Sequence, residues 1–122
     1  MEPIRMPVDP FSPMKLGPVE LKNRFIKSAT FEGPARDNLV GERLVEFHRR
    51  IAAGGAALTT VAYCAVSPEG STDGRTLLLR PEAVPGLALL ADAVHAEGAA
   101  VAAQIGHAGP VANPAATGHP SL

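Results

Sequence analysis

Three short segments of the sequence combine hydrogen-bonding side chains with small residues. They are residues 28–32 (Ser-Ala-Thr-Phe-Glu), 62–64 (Ala-Tyr-Cys) and 104–109 (Gln-Ile-Gly-His-Ala-Gly). Small residues let a flat ligand approach the backbone closely, and a few polar groups beside them can fix its orientation. The three segments therefore predict a binding site for a planar small molecule.

The other reactive side chains do not combine into a catalytic or metal-binding set. Cys64 is the single cysteine, so it cannot form an internal disulfide, and we interpret it as a small core residue. Glu32 is expected to be a lone carboxylate near the site. We interpret His48 and His95 as surface residues on helices, and His107 as either a site residue or a histidine that orders its loop. We assign no catalytic residue and no metal site.

Helices and strands alternate along the chain, and each of the three segments lies at the end of a predicted strand. Residues 42–53 form a predicted helix that Gly54 and Gly55 end. Its apolar face is predicted at Leu44, Val45, Phe47 and Ile51. Residues 57–63 are typical of a strand buried on both faces. The other predicted elements are a hairpin over 11–21, a strand over 24–29, a helix over 82–97 and a strand over 99–105. Residues 106–122 are expected to contain no helix or strand.

This alternation of helices and doubly buried strands indicates a parallel sheet covered by helices. A doubly wound dinucleotide-binding fold and a (β/α) barrel both begin in this way. The pattern G-x-G-x-x-G, which the dinucleotide fold needs after its first strand, does not occur in the sequence. We therefore expect an α/β fold of the (β/α)8 TIM-barrel type, in which functional residues gather at the carboxyl ends of the strands.

The predicted elements amount to an opening hairpin and about three βα units. A complete barrel takes about 250 residues and eight strands, whereas this chain has 122 residues. We therefore expect an incomplete barrel, with residues 1–10 as a flexible lead-in and residues 11–122 as the N-terminal part of the barrel.

Composition and charge exclude several classes of function. Hydrophobic residues make up 46% of the chain and charged residues 19%, which is typical of a globular protein. The net charge of -1, with no basic cluster longer than Arg49-Arg50, argues against nucleic-acid binding. No apolar stretch approaches the roughly 20 residues of a membrane span. The absence of a signal-peptide pattern and the single cysteine favour a cytoplasmic location.

Four blocks of the sequence, in order and with matching spacing, resemble the old yellow enzyme family. This family comprises FMN-dependent NAD(P)H:flavin oxidoreductases and ene-reductases. The blocks are Phe11-Ser12-Pro13-Met14-Lys15-Leu16-Gly17 with Leu21-Lys22-Asn23-Arg24-Phe25-Ile26, Ala53-Gly54-Gly55-Ala56-Ala57-Leu58, Val66-Ser67-Pro68-Glu69-Gly70, and Val94-His95-Ala96-Glu97-Gly98 with Gln104-Ile105-Gly106-His107-Ala108-Gly109. The resemblance extends over nearly the whole chain from about Phe11 onward.

The resemblance implies FMN as the cofactor, NAD(P)H as the reductant and a small-molecule substrate. Family members pass hydride from NAD(P)H through FMN to the β-carbon of an activated alkene. The glutamine of the third strand hydrogen-bonds the flavin ring in the family, and backbone after the first strand touches it. The cofactor contacts so implied are Ser28, Ala29, Thr30, Ala62 or Tyr63, and Gln104.

The sequence also departs from the family's pattern. Phe31 occupies the place where members often carry Thr or Cys near the flavin. The paired histidines (or His/Asn) that grip the substrate, the tyrosine proton donor and the phosphate-binding loops lie later in the family's chain. We therefore expect the chain alone to be inactive and to bind FMN weakly or not at all. The alternative is a non-catalytic partial barrel that persists only by assembling with another chain, through self-association or with a missing C-terminal half.

Overall fold

A parallel sheet with two packed helices forms the centre of the protein. The computed structural model describes residues 7–33 and 35–121. The strands are β1 (Met14–Leu16), β2 (Val19–Leu21), β3 (Ile26–Lys27), β4 (Leu58–Ala65), β5 (Leu77–Leu78) and β6 (Ala100–Gly106). The helices are α1 (Glu42–Ala53), α2 (Val84–Ala96) and the single-turn α3 (Pro114–Thr117), with short 3₁₀ helices at Pro68–Gly70, Pro81–Ala83 and Gly109–Val111.

β4 is the central strand, and all its neighbours run parallel to it. β3 pairs with its beginning, where Lys27 lies opposite Thr59, and β5 pairs with its end. β6 pairs along its whole length, from Leu58 opposite Ala100 to Ala65 opposite Gly106. β1 and β2 form a separate antiparallel hairpin. Because parallel neighbours require crossover connections, α1 links β3 to β4 and α2 links β5 to β6.

The helices bury one face each against the sheet and against each other. The largest core cluster includes Leu44 of α1, Val61 and Cys64 of β4, and Leu90 and Val94 of α2. Helix α1 has the predicted bounds, and Pro85 lies in the first turn of α2, where its missing N–H costs nothing. Both sides of β4 are buried, as its continuous apolar run predicts.

Three expectations about the elements are wrong in detail. The buried face of α1 is Leu44, His48 and Ala52, so the stripe is rotated from the predicted one and Phe47 is 41% exposed. The strand predicted over residues 24–29 is limited to Ile26–Lys27. The chain after it forms a loop, whose Glu32 N–H donates a hydrogen bond to the Ala62 carbonyl of β4. The tail contains a 3₁₀ helix and α3, which Asn113 caps by accepting a hydrogen bond from the Ala115 N–H at 3.1 Å.

The predicted lead-in is described only in part. Its first six residues lie outside the described residues, and residues 7–9 form no helix or strand. The Pro10 carbonyl accepts a hydrogen bond from the Arg24 N–H at 2.9 Å, which ties the end of this segment to the chain before β3. Within the described part of the chain, no helix has the length and apolarity needed to cross a membrane.

Leu90 and Leu89 offer a matched test of how α2 packs, because Leu90 is 1% exposed and its neighbour Leu89 is 65% exposed. Leu90→Ala is expected to lower the free energy of unfolding by about 3 kcal/mol, since it leaves a cavity in the core. Leu89→Ala should change it by no more than about 0.5 kcal/mol. Urea denaturation followed by circular dichroism measures both. Equal losses would contradict the orientation of α2.

Candidate functional site

The three segments that the sequence marks as a ligand site lie at the carboxyl ends of β3, β4 and β6. Because these strands are parallel neighbours, their carboxyl ends lie at one edge of the sheet. This is the edge at which barrel and open α/β proteins bind ligands. The segments therefore lie where the sequence predicts them.

A bulge in β4 brings two of these segments into direct register. The pairing of β4 with β6 shifts between Val61 and Cys64. There β4 has two residues, Ala62 and Tyr63, where β6 has one, Gln104. An extra residue of this kind bends the strand and re-aims its side chains, and bulges are frequent beside active sites.

Tyr63 and Gln104 line one cleft above this bulge. The cleft has a volume of about 240 Å³ and is lined by Tyr63, Thr72, Gln104, Ile105, Gly106, His107 and Ala108. The Tyr63 hydroxyl donates to the Gly70 carbonyl at 2.9 Å and accepts from the Thr72 N–H at 2.8 Å. The phenol is therefore engaged in holding the loop after β4. Gln104 is exposed, so its side-chain amide is accessible to a ligand.

The segment after β3 lies outside this cleft. Ser28, Ala29 and Thr30 are exposed. Thr30 and Phe31 belong instead to a wider depression of about 770 Å³ between β3 and α1, and the Phe31 ring lies 6.2 Å from the Tyr63 ring. Ala62 is buried beside Tyr63. The structure thus groups Tyr63 with Gln104, and the assignment of all six residues to a cofactor remains a prediction.

His107 orders the loop that closes one side of the cleft. Its Nδ1 accepts a hydrogen bond from the Gly109 N–H at 2.9 Å. The imidazole packs directly on Gly70, where an added Cβ would lie only 2.6 Å from the His107 ring. The Gly70 carbonyl in turn accepts from the Ala108 N–H at 2.8 Å. Glycine at position 70 is therefore needed for the two loops to meet.

Glu32 is not a lone carboxylate, which corrects the sequence interpretation. Its side chain is 6% exposed and accepts a hydrogen bond from the ammonium group of Lys27. A second carboxylate oxygen accepts from the Ala62 N–H at 3.1 Å. His48 Nε2 lies 3.4 Å from the first oxygen. A buried carboxylate requires such partners, because leaving it unpaired away from water is very costly.

His48 is likewise a buried residue rather than a surface one. It is fully buried in the face that α1 presents to the sheet, and its Nδ1 lies 2.7 Å from the hydroxyl of Thr59 on β4. The spacing of Leu44, His48 and Ala52, four residues apart, could have revealed this face. His95, by contrast, is exposed on α2 as predicted.

The same surroundings alter two pKa values. Burial alone would raise the pKa of Glu32. The neighbouring His48 imidazole, the hydrogen bonds from Lys27 and the Ala62 N–H, and the Lys27 charge outweigh burial, so the pKa lies below its ordinary value. Burial, helped by the negative charge of Glu32, raises the pKa of Cys64 to about 11. A thiol in that state is a core residue and a poor nucleophile, as predicted.

The site offers hydrogen bonding and shape rather than metal or nucleophilic chemistry. Within residues 7–33 and 35–121, no group of three or more His, Cys, Asp or Glu side chains could hold a metal ion. Gln104 presents both donor and acceptor atoms, and exposed backbone follows β3. Such an arrangement can hold the edge of a planar heterocycle.

Known proteins are similar to this chain in sequence and in fold. Residues 9–119 match the NADH:flavin oxidoreductase / NADH oxidase family. The 4,4'-dithiodibutanoate disulfide reductase of Rhodococcus erythropolis is 58% identical over 103 residues, which cover 84% of this chain and 26% of that protein.

Solved structures of related proteins superimpose closely on the chain. A 2-naphthoyl-CoA reductase has a TM-score of 0.85 at 28% identity, covering 90% of this chain and 17% of that one. An old yellow enzyme homologue from Zymomonas mobilis has a TM-score of 0.85 at 22% identity, and the match covers 93% of this chain and 32% of that one. This second match shows that the fold is shared. These neighbours are TIM barrels, so the predicted fold class is confirmed. The chain spans about a quarter of the length of its Rhodococcus relative.

The buried Glu32 carboxylate should give stability a defined pH dependence. Because its folded pKa lies below the ordinary 4.5, its contribution is present above that pH and is lost as the pH falls through the lowered value. Glu32→Gln is expected to cost about 3 kcal/mol of unfolding free energy at neutral pH, since it leaves the Lys27 ammonium group without its ionic partner. The difference from the unmodified chain should shrink on acidification.

Chemical denaturation at a series of pH values measures this effect. Glu82→Gln is the matched control, because the Glu82 side chain is 68% exposed and its ion pair with Arg80 is long, at 3.9 Å. It should have little effect at any pH. A pH-independent loss in Glu32→Gln would show that side-chain shape rather than charge matters at position 32.

Proposed function

Because the chain belongs to the NADH:flavin oxidoreductase / NADH oxidase family, the family of old yellow enzyme, we propose that it forms the N-terminal part of an FMN-dependent oxidoreductase. That enzyme passes hydride from NAD(P)H, through FMN, to a small-molecule acceptor. The observation that carries the proposal is the bulge that sets Tyr63 beside Gln104 at the ligand-binding edge of a family-matched sheet.

The residues present fit the ring portion of a flavin. Gln104 can donate to and accept from a heterocycle edge, and the exposed backbone of residues 28–30 allows close approach of a flat ring. FMN, when bound, supplies two-electron chemistry, while the protein supplies position and electrostatics. We assign cofactor contacts to Ser28, Ala29, Thr30, Ala62, Tyr63 and Gln104. His107 is the single basic side chain among the described residues that line the Gln104 cleft, so we place the anchor for the cofactor phosphate elsewhere in the complete barrel.

Two classes of acceptor are considered. The resemblance to ene-reductases favours an activated alkene, in which a hydride and a proton add across the double bond. The 58% identity to a disulfide reductase favours a disulfide, in which NAD(P)H and a proton convert one S–S bond into two thiols. In both reactions NAD(P)H becomes NAD(P)⁺. We propose the alkene first and the disulfide as the second candidate.

The chain alone presents an open sheet. Within the described residues, β6 pairs with β4 along one side, and its residues Ala102–Ile105 are exposed, Ile105 by 64%. An uncovered strand edge and apolar face favour pairing with another chain. We propose that activity requires the rest of the barrel, and that the isolated chain either self-associates or pairs with a complementary segment.

The isolated chain is expected to bind FMN weakly or not at all and to self-associate. Self-association is expected because the sheet is open. Weak FMN binding is expected because most of the assigned contacts with the flavin ring come from backbone groups. FMN titration followed by flavin fluorescence, with light scattering in the same buffer, measures them. Saturable FMN binding by a monomer would contradict the expectation that the rest of the barrel is required.

Ile105→Lys and Val84→Lys form a matched pair for the self-association. Both replace exposed apolar residues, but Ile105 lies on β6 and Val84 at the start of α2, 61% exposed. A charge on the open strand should reduce association, since like charges repel at a strand edge. The Val84 variant should not. Equal effects would place the association surface elsewhere.

A chimera tests the flavin platform and the acceptor together. Residues 9–119 would replace the matched segment of the Rhodococcus relative. The chimera is expected to bind FMN and to oxidise NAD(P)H with an acceptor, and parallel assays with an enone and a disulfide identify which one. A folded chimera that lacks flavin would contradict the proposed function.

Within that chimera, Gln104→Leu tests the assigned ring contact. Loss of one or two hydrogen bonds should weaken FMN binding about tenfold, equivalent to about 1.4 kcal/mol. His95→Gln, an exposed change on α2, is the control and should leave the affinity unchanged. Unaltered affinity in Gln104→Leu would remove Gln104 from the site.

A further inference from the structure

Glu32, which lies outside the β4–β6 pair, bonds to the bulge of β4 at Ala62. The Ala62 N–H donates to Glu32 Oε2 at 3.1 Å. The Ala62 carbonyl accepts a hydrogen bond from the Glu32 N–H at 3.4 Å. Glu32 thus contacts both backbone polar groups of Ala62, which has no paired residue on β6 in the register.

The carboxylate that makes this contact is itself held in place from two further elements. Lys27 of β3 donates to Glu32 and also to the Thr60 carbonyl of β4 at 2.9 Å. His48 of α1 lies 3.4 Å from Glu32 and is fixed by Thr59 of β4 at 2.7 Å. The carboxylate is therefore positioned before any ligand arrives.

We infer that Glu32 is a positioning residue for the cofactor site: held by Lys27 and flanked by His48, it fixes the β4 bulge and thereby the placement of Tyr63 opposite Gln104. The identity of the ligand, FMN, rests on the proposed function. The positioning itself rests on contacts within the chain.

The physical reason lies in the unpaired backbone that a bulge creates. An extra residue loses its ladder partner, and a buried N–H without a partner is costly. A carboxylate is a stronger acceptor than a neutral oxygen, so it stabilises this one arrangement over a regular, unbulged strand. Without the bulge, every residue of β4 beyond it would shift by one position and turn to the opposite face.

Glu32→Gln tests the inference, with Glu46→Gln as the matched control. Glu46 lines the same depression, but its partners are Arg49 and Arg50 on α1 rather than β4. Amide hydrogen exchange resolved to single residues is the measurement on the full chain. In Glu32→Gln, exchange at Ala62 should accelerate about tenfold more than exchange at Val94 in the core of α2, and the amide shifts of Tyr63 and Gln104 should change.

Two results of that experiment would overturn the inference. One is unchanged protection at Ala62 in a folded Glu32→Gln variant. The other is acceleration of the same size at the Val94 amide in the core of α2, or in Glu46→Gln, which would show a general loss of stability rather than a local role for Glu32.

If Glu32→Gln does not fold, a pH titration of the unmodified chain tests whether the Glu32 carboxylate holds Ala62. The titratable groups nearest to Glu32 are Lys27 of β3, His48 of α1 and Cys64 of β4. Three further charged residues of α1 line the same depression: Arg43, Glu46 and Arg50. The Ala62 amide proton shift should follow protonation of a carboxylate below pH 4.5. His48→Gln, which removes the facing imidazole, should retain this transition. A shift that does not change with pH would overturn the inference.

Failure of the proposed function gives a different pattern from failure of this inference. If the chimera does not bind FMN but Ala62 responds to Glu32 as expected, the bulge is held as inferred and serves another ligand. If FMN binds but Ala62 does not respond, the function stands and Glu32 has no positioning role.

Discussion

A buried carboxylate must find partners for its charge, and in this protein the partners of Glu32 come from three different elements. Lys27 belongs to β3, His48 to α1 and the Ala62 N–H to β4. Satisfying one charge therefore fixes two strands and a helix relative to the loop that contains Glu32. Because hydrogen-bonding partners must meet at short distance and in a set direction, this cluster constrains how these elements can pack.

The cluster around Glu32 and the ligand-binding cleft meet at the bulge of β4. Lys27, Thr59 and His48 meet in the layer between sheet and helix. Tyr63 and Gln104 line a cleft at the end of the strands. The bulge joins the two, since Ala62 touches Glu32 and its neighbour Tyr63 opens to the cleft. In the inferred arrangement, the contact between Glu32 and Ala62 that contributes to stability also sets the geometry of the cleft.

The parts of the fold that were predicted correctly depend on local sequence. Helix α1 has clear periodicity and glycines at its end, and Gly55 takes φ +109, which suits glycine alone. The continuous run of apolar residues in β4 likewise predicts a strand that is buried on both faces. The contacts of Glu32 with Ala62 and of His48 with Thr59 were not predicted, because these partners are 30 and 11 residues away and no local pattern identifies them. The burial of His48 could have been inferred from its spacing with Leu44 and Ala52.

The candidate site was predicted in part for a related reason. Parallel strands bring their carboxyl ends together by topology alone, so the three segments could be placed at one edge before any side-chain contact was known. The grouping of Tyr63 with Gln104 depends on a two-against-one bulge, and residue types do not reveal a bulge. The two solved relatives retain the fold at 28% and 22% identity. A site built from strand ends and backbone groups is compatible with that divergence, because it requires small side chains and a fixed backbone path rather than a long list of invariant residues. Such a site does require an interaction that fixes the backbone path, and in this chain Glu32 is placed to provide it through its hydrogen bonds with Ala62.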